Sequence, residues 1–252
     1  TSSFSMIVLE KELSKPYEMI DMVTTPDGSL VAMVHCNNCT SDLNAWVNLF
    51  KEYQELLGIP VDMDEIYGKL YNHALTGNTD CGGLISYNYI SGEPVTGLAE
   101  GRPLFVRSAN DKFNLANFMR THLYASVGVL KIGNDILFNE EKIKVDRITG
   151  HGGLFKTKGV GQRILAAAIN SPISVMETAG EGGAWGIALL GSYLVNNEKN
   201  QSLADFLEDK VFAGDAGIEI SPTAEDVAGF NTYIENYKAG LPVEEAATRF
   251  KK

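Results

Sequence analysis

The stretch at residues 148–170, Ile148-Thr-Gly-His-Gly-Gly-Leu-Phe-Lys-Thr-Lys-Gly-Val-Gly-Gln-Arg-Ile-Leu-Ala-Ala-Ala-Ile-Asn170, constrains the fold more than any other. Ile143, Val145 and Ile148 predict a short strand leading in, and Gly150, Gly152 and Gly153 a tight turn. Val160, Ile164, Leu165 and Ala168 then recur at helical spacing. A second run, Gly180-Glu-Gly-Gly-Ala-Trp-Gly186, opens another helix over 187–195. Two strand–glycine–helix units side by side put bare backbone amides and two helix N-termini at one edge of a sheet. Such ends are partially positive and suit phosphate or nucleotide. Glycine lets a ligand reach the backbone where a Cβ would hold it off.

The standard nucleotide fingerprints are absent. Gly159-Val160-Gly161 lacks the third glycine of a dinucleotide-binding turn, and no GxxxxGK[ST] occurs. Tight turns and close helix packing in an α/β core therefore compete with a ligand site as the reason for these glycines.

The rest of the chain predicts strands at 3–9, 17–23 and 30–34, arranged as a meander whose last turn is Pro26-Asp27-Gly28. Residues 38–42 offer N-caps for a helix bearing Leu43, Trp46, Val47 and Phe50 on one face and ending near Gly58. Further helices are predicted at 63–75 and 114–137, with strands at 84–90 and 104–107. The tail from about 202 onward reads as acidic and helical, broken at Pro222 and Pro242.

Net charge narrows the partners. At −11, the chain would repel nucleic acid and anionic membranes, although local backbone amides can still take a phosphate. A content of 44% hydrophobic and 21% charged residues is ordinary for a globular protein, and no run reaches membrane-span length. These features point to a cytoplasmic protein. Cys36-Asn-Asn-Cys39, with His35 adjacent, invites a zinc reading, but only Cys81 and His73 could complete it and their spacing suggests no site. Reduced loop thiols are expected, and no metal site.

Three blocks share a family resemblance. They are residues 151–162, Ile173-Ser-Val175 followed by 181–190, and Gly83-Leu-Ile-Ser-Tyr-Asn-Tyr-Ile-Ser-Gly-Glu-Pro94. In order, they resemble the C-terminal lobe of the FGGY carbohydrate kinases. The opening Thr1-Ser-Ser-Phe-Ser-Met-Ile-Val-Leu9 is similar to the strand after that family's Gly-Thr-Ser phosphate turn, with the glycine missing. A piece of something longer is therefore expected. The resemblance implies an α/β fold of the actin-like ATPase (ribonuclease H-like) type, with a mixed sheet flanked by helices. It further implies a nucleotide-binding lobe at 1–195 and a C-terminal helical extension at 196–252 packed on it.

The same resemblance assigns site residues. Thr1 and Ser2 fall where the family holds the terminal phosphates of ATP, and Gly152 and Gly153 fall at its nucleotide-contacting turn. Thr157 stands where relatives carry Asn or Ser, and Thr40 and Asn44 stand where certain relatives carry Gly and Gln. Thr40 reads equally well as an N-cap. His151 replaces an acidic residue, Lys156 and Lys158 read as a solvated loop pair, and Gln162 as an inward structural amide. No paired-carboxylate or Ser/His/Asp arrangement stands out, and the resemblance puts the catalytic base in an N-terminal lobe.

The implied function is ATP- and Mg²⁺-dependent phosphoryl transfer to a ketopentose, ribulose or xylulose, with that N-terminal lobe as partner and a homodimer left open. A non-catalytic ATP-binding or regulatory protein of the same superfamily is the alternative. The departures at His151, Thr157, Thr40 and Asn44 speak for it.

Overall fold

The computed structural model describes residues 2–176, 180, 182–198, 200–213 and 217–250. Three strands come first: β1 Ser3–Val8, β2 Asp21–Thr24 and β3 Leu30–Cys36. Helices α1 Ser41–Leu56 and α2 Met63–Ala74 follow, then strands β4 Ile85–Tyr87 and β5 Leu104–Val106. The long helix α3 Leu115–Asp135 precedes α4 Val160–Ile169, strand β6 Ile173–Val175 and helix α5 Gly182–Asn196. The short helix α6 Leu203–Phe206, strand β7 Ile218–Ile220 and helix α7 Ala224–Thr248 complete the chain.

The first three strands do not form the expected meander: their order is β1-β3-β2, all antiparallel. Burial explains the change. Val31, Ala32, Val34 and Cys36 of β3 are buried, whereas four-residue β2 is mostly exposed and suits an edge. The connection from β1 to β2 is long enough to cross, while Gly28, at φ +94°, closes the tight β2–β3 turn. β4–β5 and β6–β7 are separate antiparallel pairs.

The strand expected before the glycine turn is also absent. That segment is extended but meets β6 through one parallel bridge, Thr149 to Ser174, flanked by hydrogen bonds from Gly150 N–H and to Ile148 C=O (2.8 and 2.9 Å). Ile143, Val145 and Ile148 still pack on the core as half-buried side chains. The apolar alternation was real, but its ladder was too short to count as a strand.

Helix α3 is the axis of the core. Asn114 caps it by accepting the Asn117 N–H at 2.9 Å, and it is buried on nearly every side. Phe118, Met119, Leu123, Tyr124 and Val127 lie inside, each contributing about 2 kcal/mol of burial. Its polar residues are paired. Arg120 bonds Asp226 at 2.7 Å, Tyr124, and the carbonyls of Leu75 and Gly77. Arg163 of α4 reaches the other oxygen of the same Asp226, so three helices meet on one carboxylate.

Helix α7 continues through Pro242 instead of breaking there. Proline removes one helical hydrogen bond, but Phe230, Tyr233 and Tyr237 anchor the helix before it and buried Glu244 and Ala247 after it. Glu244 accepts the Arg102 N–H at 2.7 Å, and desolvation raises its carboxyl to about 7. The break at Pro222 does occur, just ahead of the Thr223 cap. Among the described residues no helix is long and apolar enough to cross a membrane.

Candidate nucleotide-binding site

The two glycine runs come together. A Cβ on Gly182, at the start of α5, would lie 2.9 Å from the His151 ring, and one on Gly180 would lie 3.3 Å from Lys156 Cε. The glycines in and around the first turn nevertheless have different reasons to be glycine. At Gly150 a side chain would enter the Phe155 ring, and at Gly161 it would strike the Leu154 backbone at 2.7 Å. Both positions are glycine for packing. Gly152 has φ +108°, which excludes most side chains on conformational grounds.

Gly153 is different. Its φ is ordinary and an added Cβ would meet nothing within 4 Å. Neither conformation nor packing among the described residues requires glycine there. Gly153 begins a 3-10 turn, Gly153–Phe155, and such a turn leaves its first N–H groups without internal partners. The backbone at Gly152 and Gly153 thus faces open space among the described residues. Thr157, half-buried just beyond, accepts the Val160 N–H through its carbonyl at 3.3 Å. Gln162 is a buried structural amide, donating to the carbonyls of Ile173 (3.0 Å) and Ile218 (2.7 Å). Packing against the start of α5 lowers the His151 pKa by desolvation.

The other predicted residues are grouped by β1 and α1. Thr1 lies outside the described residues. Ser2 is exposed at the head of β1, where Ser3 is the register partner of Cys36, which places it beside the connection into α1. Thr40 occupies the N-cap position of α1, but its side chain makes no capping hydrogen bond, which leaves its hydroxyl uncommitted to that role. The Asn44 Oδ1 accepts a hydrogen bond from the Tyr67 hydroxyl at 3.0 Å. The three cysteines are free thiols, and burial raises each pKa. No three His, Cys, Asp or Glu residues gather to hold a metal among those described.

A Ser/His/Asp cluster does form, one that the spacing along the chain did not reveal. Ser86 Oγ lies 3.0 Å and Asp42 Oδ2 3.7 Å from His122 Nδ1. A catalytic relay needs the serine and the acid on opposite ring nitrogens. Here both face Nδ1, and Nε2 is buried without a partner. Trp46, Phe105 and Phe118 enclose the ring at 4.5–5.9 Å, and desolvation lowers its pKa to about 3. Buried and neutral near physiological pH, the ring serves packing, and the cluster is a packing feature.

Sequence comparison decides the family. The profile of the FGGY family of carbohydrate kinases, C-terminal domain, matches residues 1–195. The chain belongs to the FGGY family. A search of curated protein sequences finds no match. Among solved structures, the FGGY lobe is similar to a xylulose kinase from Rhodospirillum rubrum (TM-score 0.69, 16% identity, 98% of this chain and 46% of that one). It is also similar to a gluconate kinase from Lactobacillus acidophilus (TM-score 0.71, 17% identity, 100% and 47%). A third similar structure is a Plasmodium falciparum glycerol kinase with ADP (TM-score 0.62, 14% identity, 100% and 46%). The chain spans about half the length of these proteins. At such identities they establish the fold, an actin-like ATPase lobe whose strands here form small separate sheets.

Proposed function

We propose that this chain is the ATP-binding lobe of a sugar kinase that transfers the γ-phosphate to a hydroxyl of a ketopentose, ribulose or xylulose. Gly153 carries the reading: it is a glycine at the family's nucleotide turn that nothing among the described residues requires. The open backbone at Gly152 and Gly153 fits a phosphate or ribose approaching the turn. Thr157 would add a hydroxyl, while Thr1, Ser2 and Thr40 would meet the nucleotide from the β1–α1 side. ATP supplies the phosphoryl group, and these residues hold and orient it. Mg²⁺ accompanying the nucleotide would neutralise charge on its phosphates. Residues 1–195 would form the nucleotide lobe and 196–252 its helical extension, in a cytoplasmic enzyme.

The sugar and its catalytic base would come from an N-terminal lobe of the same protein. Helix α5 supports such a partner. It carries no charged residue; Trp185 and Tyr193 pack half-buried on Phe212 and Phe206, while Ile187, Leu194 and Val195 on the other face are 68–82% exposed. An exposed apolar helix face of this kind is normally covered. The xylulose kinase likeness favours a pentulose, although gluconate and glycerol kinases share the fold.

The non-catalytic alternative draws on Asn44, whose amide oxygen is already engaged by Tyr67. Sugar-dependent ADP release separates the two readings. The chain alone should show none, and the chain joined to its N-terminal lobe should turn over a pentulose. Turnover by the lone chain would refute the division of labour, and failure of the joined protein on a broad ketose panel would favour the non-catalytic reading.

A further inference from the structure

Loop residues 37–39, which lead from β3 into α1, are stitched to residues 88–93. The Glu93 carboxylate accepts the backbone N–H groups of Asn37 (2.9 Å) and Asn38 (3.2 Å) and the Asn38 side-chain amide (3.1 Å), all on Oε2. Asn38 answers through Oδ1, which accepts the N–H groups of Ile90 (2.9 Å) and Ser91 (3.1 Å), and through Nδ2, which donates to Ser91 C=O (3.1 Å). Asn37 Nδ2 donates to Gly92 C=O at 2.9 Å, and Asn88 Nδ2 donates to Cys39 C=O at 2.7 Å. Glu93, Asn38 and Asn88 are 0–4% exposed.

Burying a carboxylate is costly, and Glu93 Oε1 is left without a hydrogen bond. A neutral turn could join two loops more cheaply. What this arrangement adds is direction. Several bonds converge on three consecutive residues and fix the backbone immediately before Thr40, the uncapped start of α1. Glu93 is itself held by paired backbone hydrogen bonds with Leu98 (2.7 and 3.1 Å), so the anchor is rigid.

We propose that Glu93, acting through Asn38, is a positioning residue for nucleotide binding: it sets the 37–40 connection so that the start of α1 meets the nucleotide, without touching it. This rests on the functional reading above. The test is ATP titration of the ¹⁵N-labelled chain, following amide shifts at Thr40–Asn44 and at Gly152–Gly153, with calorimetric Kd and melting temperature. In Glu93→Ala, ATP-dependent shifts should persist at the glycine turn and disappear at Thr40–Asn44, with Kd raised about tenfold, or about 1.4 kcal/mol. Glu93→Gln, which keeps one acceptor oxygen, should lie between and serves if the alanine variant does not fold. Phe230→Leu, a core change remote from this loop, controls for stability.

Unchanged Thr40–Asn44 shifts and Kd in both Glu93 variants would overturn the inference. So would an equal Kd loss in Phe230→Leu at matched melting temperature. Absence of any ATP-dependent shift at Gly152–Gly153 in the unmodified chain would instead overturn the functional reading, and the inference with it.

Discussion

Helices α3 and α5 invert the usual relation between composition and burial. Helix α3 carries Arg120, His122, Lys131 and Asp135, yet it is the most enclosed element of the fold. Helix α5 runs Gly-Gly-Ala-Trp-Gly-Ile-Ala-Leu-Leu-Gly-Ser-Tyr-Leu-Val-Asn with no charge and has no buried residue. The difference lies in what each helix finds around it. Arg120 exchanges water for Asp226, Tyr124 and two carbonyls, and Lys131 exchanges it for Asp135 at 2.6 Å. Satisfied charges can be buried, whereas an apolar surface stays exposed until something covers it. Among the described residues α3 is enclosed and α5 keeps one exposed apolar face, which in the proposed assembly meets the N-terminal lobe.

The contrast can be broken by substitution. Leu123→Ala in α3 should cost about 3 kcal/mol of unfolding free energy, because the methylenes removed leave a cavity in a helix packed on all sides. Urea midpoints measure it, and a cost below about 1 kcal/mol would mean that α3 is looser than its burial implies. At the other extreme, the double change Ile187→Ser and Leu194→Ser in α5 should move the stability of this chain by less than about 0.5 kcal/mol. The same double change should reduce capture of a separately prepared N-terminal lobe. Strong destabilisation of the lone chain with undiminished capture would show that α5 belongs to the internal core.

Local patterns carried much of the architecture. The predicted starts and ends of α2 and α3 fall within a residue or two of those observed, because Asp62 and Asn114 cap them and their apolar spacing is helical. The glycine turn and the Pro26-Asp27-Gly28 turn are local as well. What local pattern could not supply was long-range pairing. The place of β3 between β1 and β2 depends on which strand is buried on both sides, and the continuity of α7 through Pro242 depends on anchors far away in sequence.

Site residues divide in the same way. The glycines were visible as glycines, but only coordinates separate Gly150 and Gly161, which packing requires, from Gly153, which it does not. The Glu93–Asn38 clamp spans 55 residues, and no local rule joins its halves. His122 lies on the buried α3, and its neighbours Ser86 and Asp42 come to it only where strand and helix meet.

The central claim is that the turn at Gly152–Gly153 is open because a nucleotide occupies it. Gly153→Val tests this most directly, by calorimetric titration of ATP alongside thermal unfolding. A Cβ there meets no atom of the described residues within 4 Å, so the melting temperature should hold. The ATP dissociation constant should rise roughly thirtyfold, about 2 kcal/mol. Unchanged ATP affinity, or a loss of affinity that merely follows a lower melting temperature, would contradict the account and return the turn to a packing role.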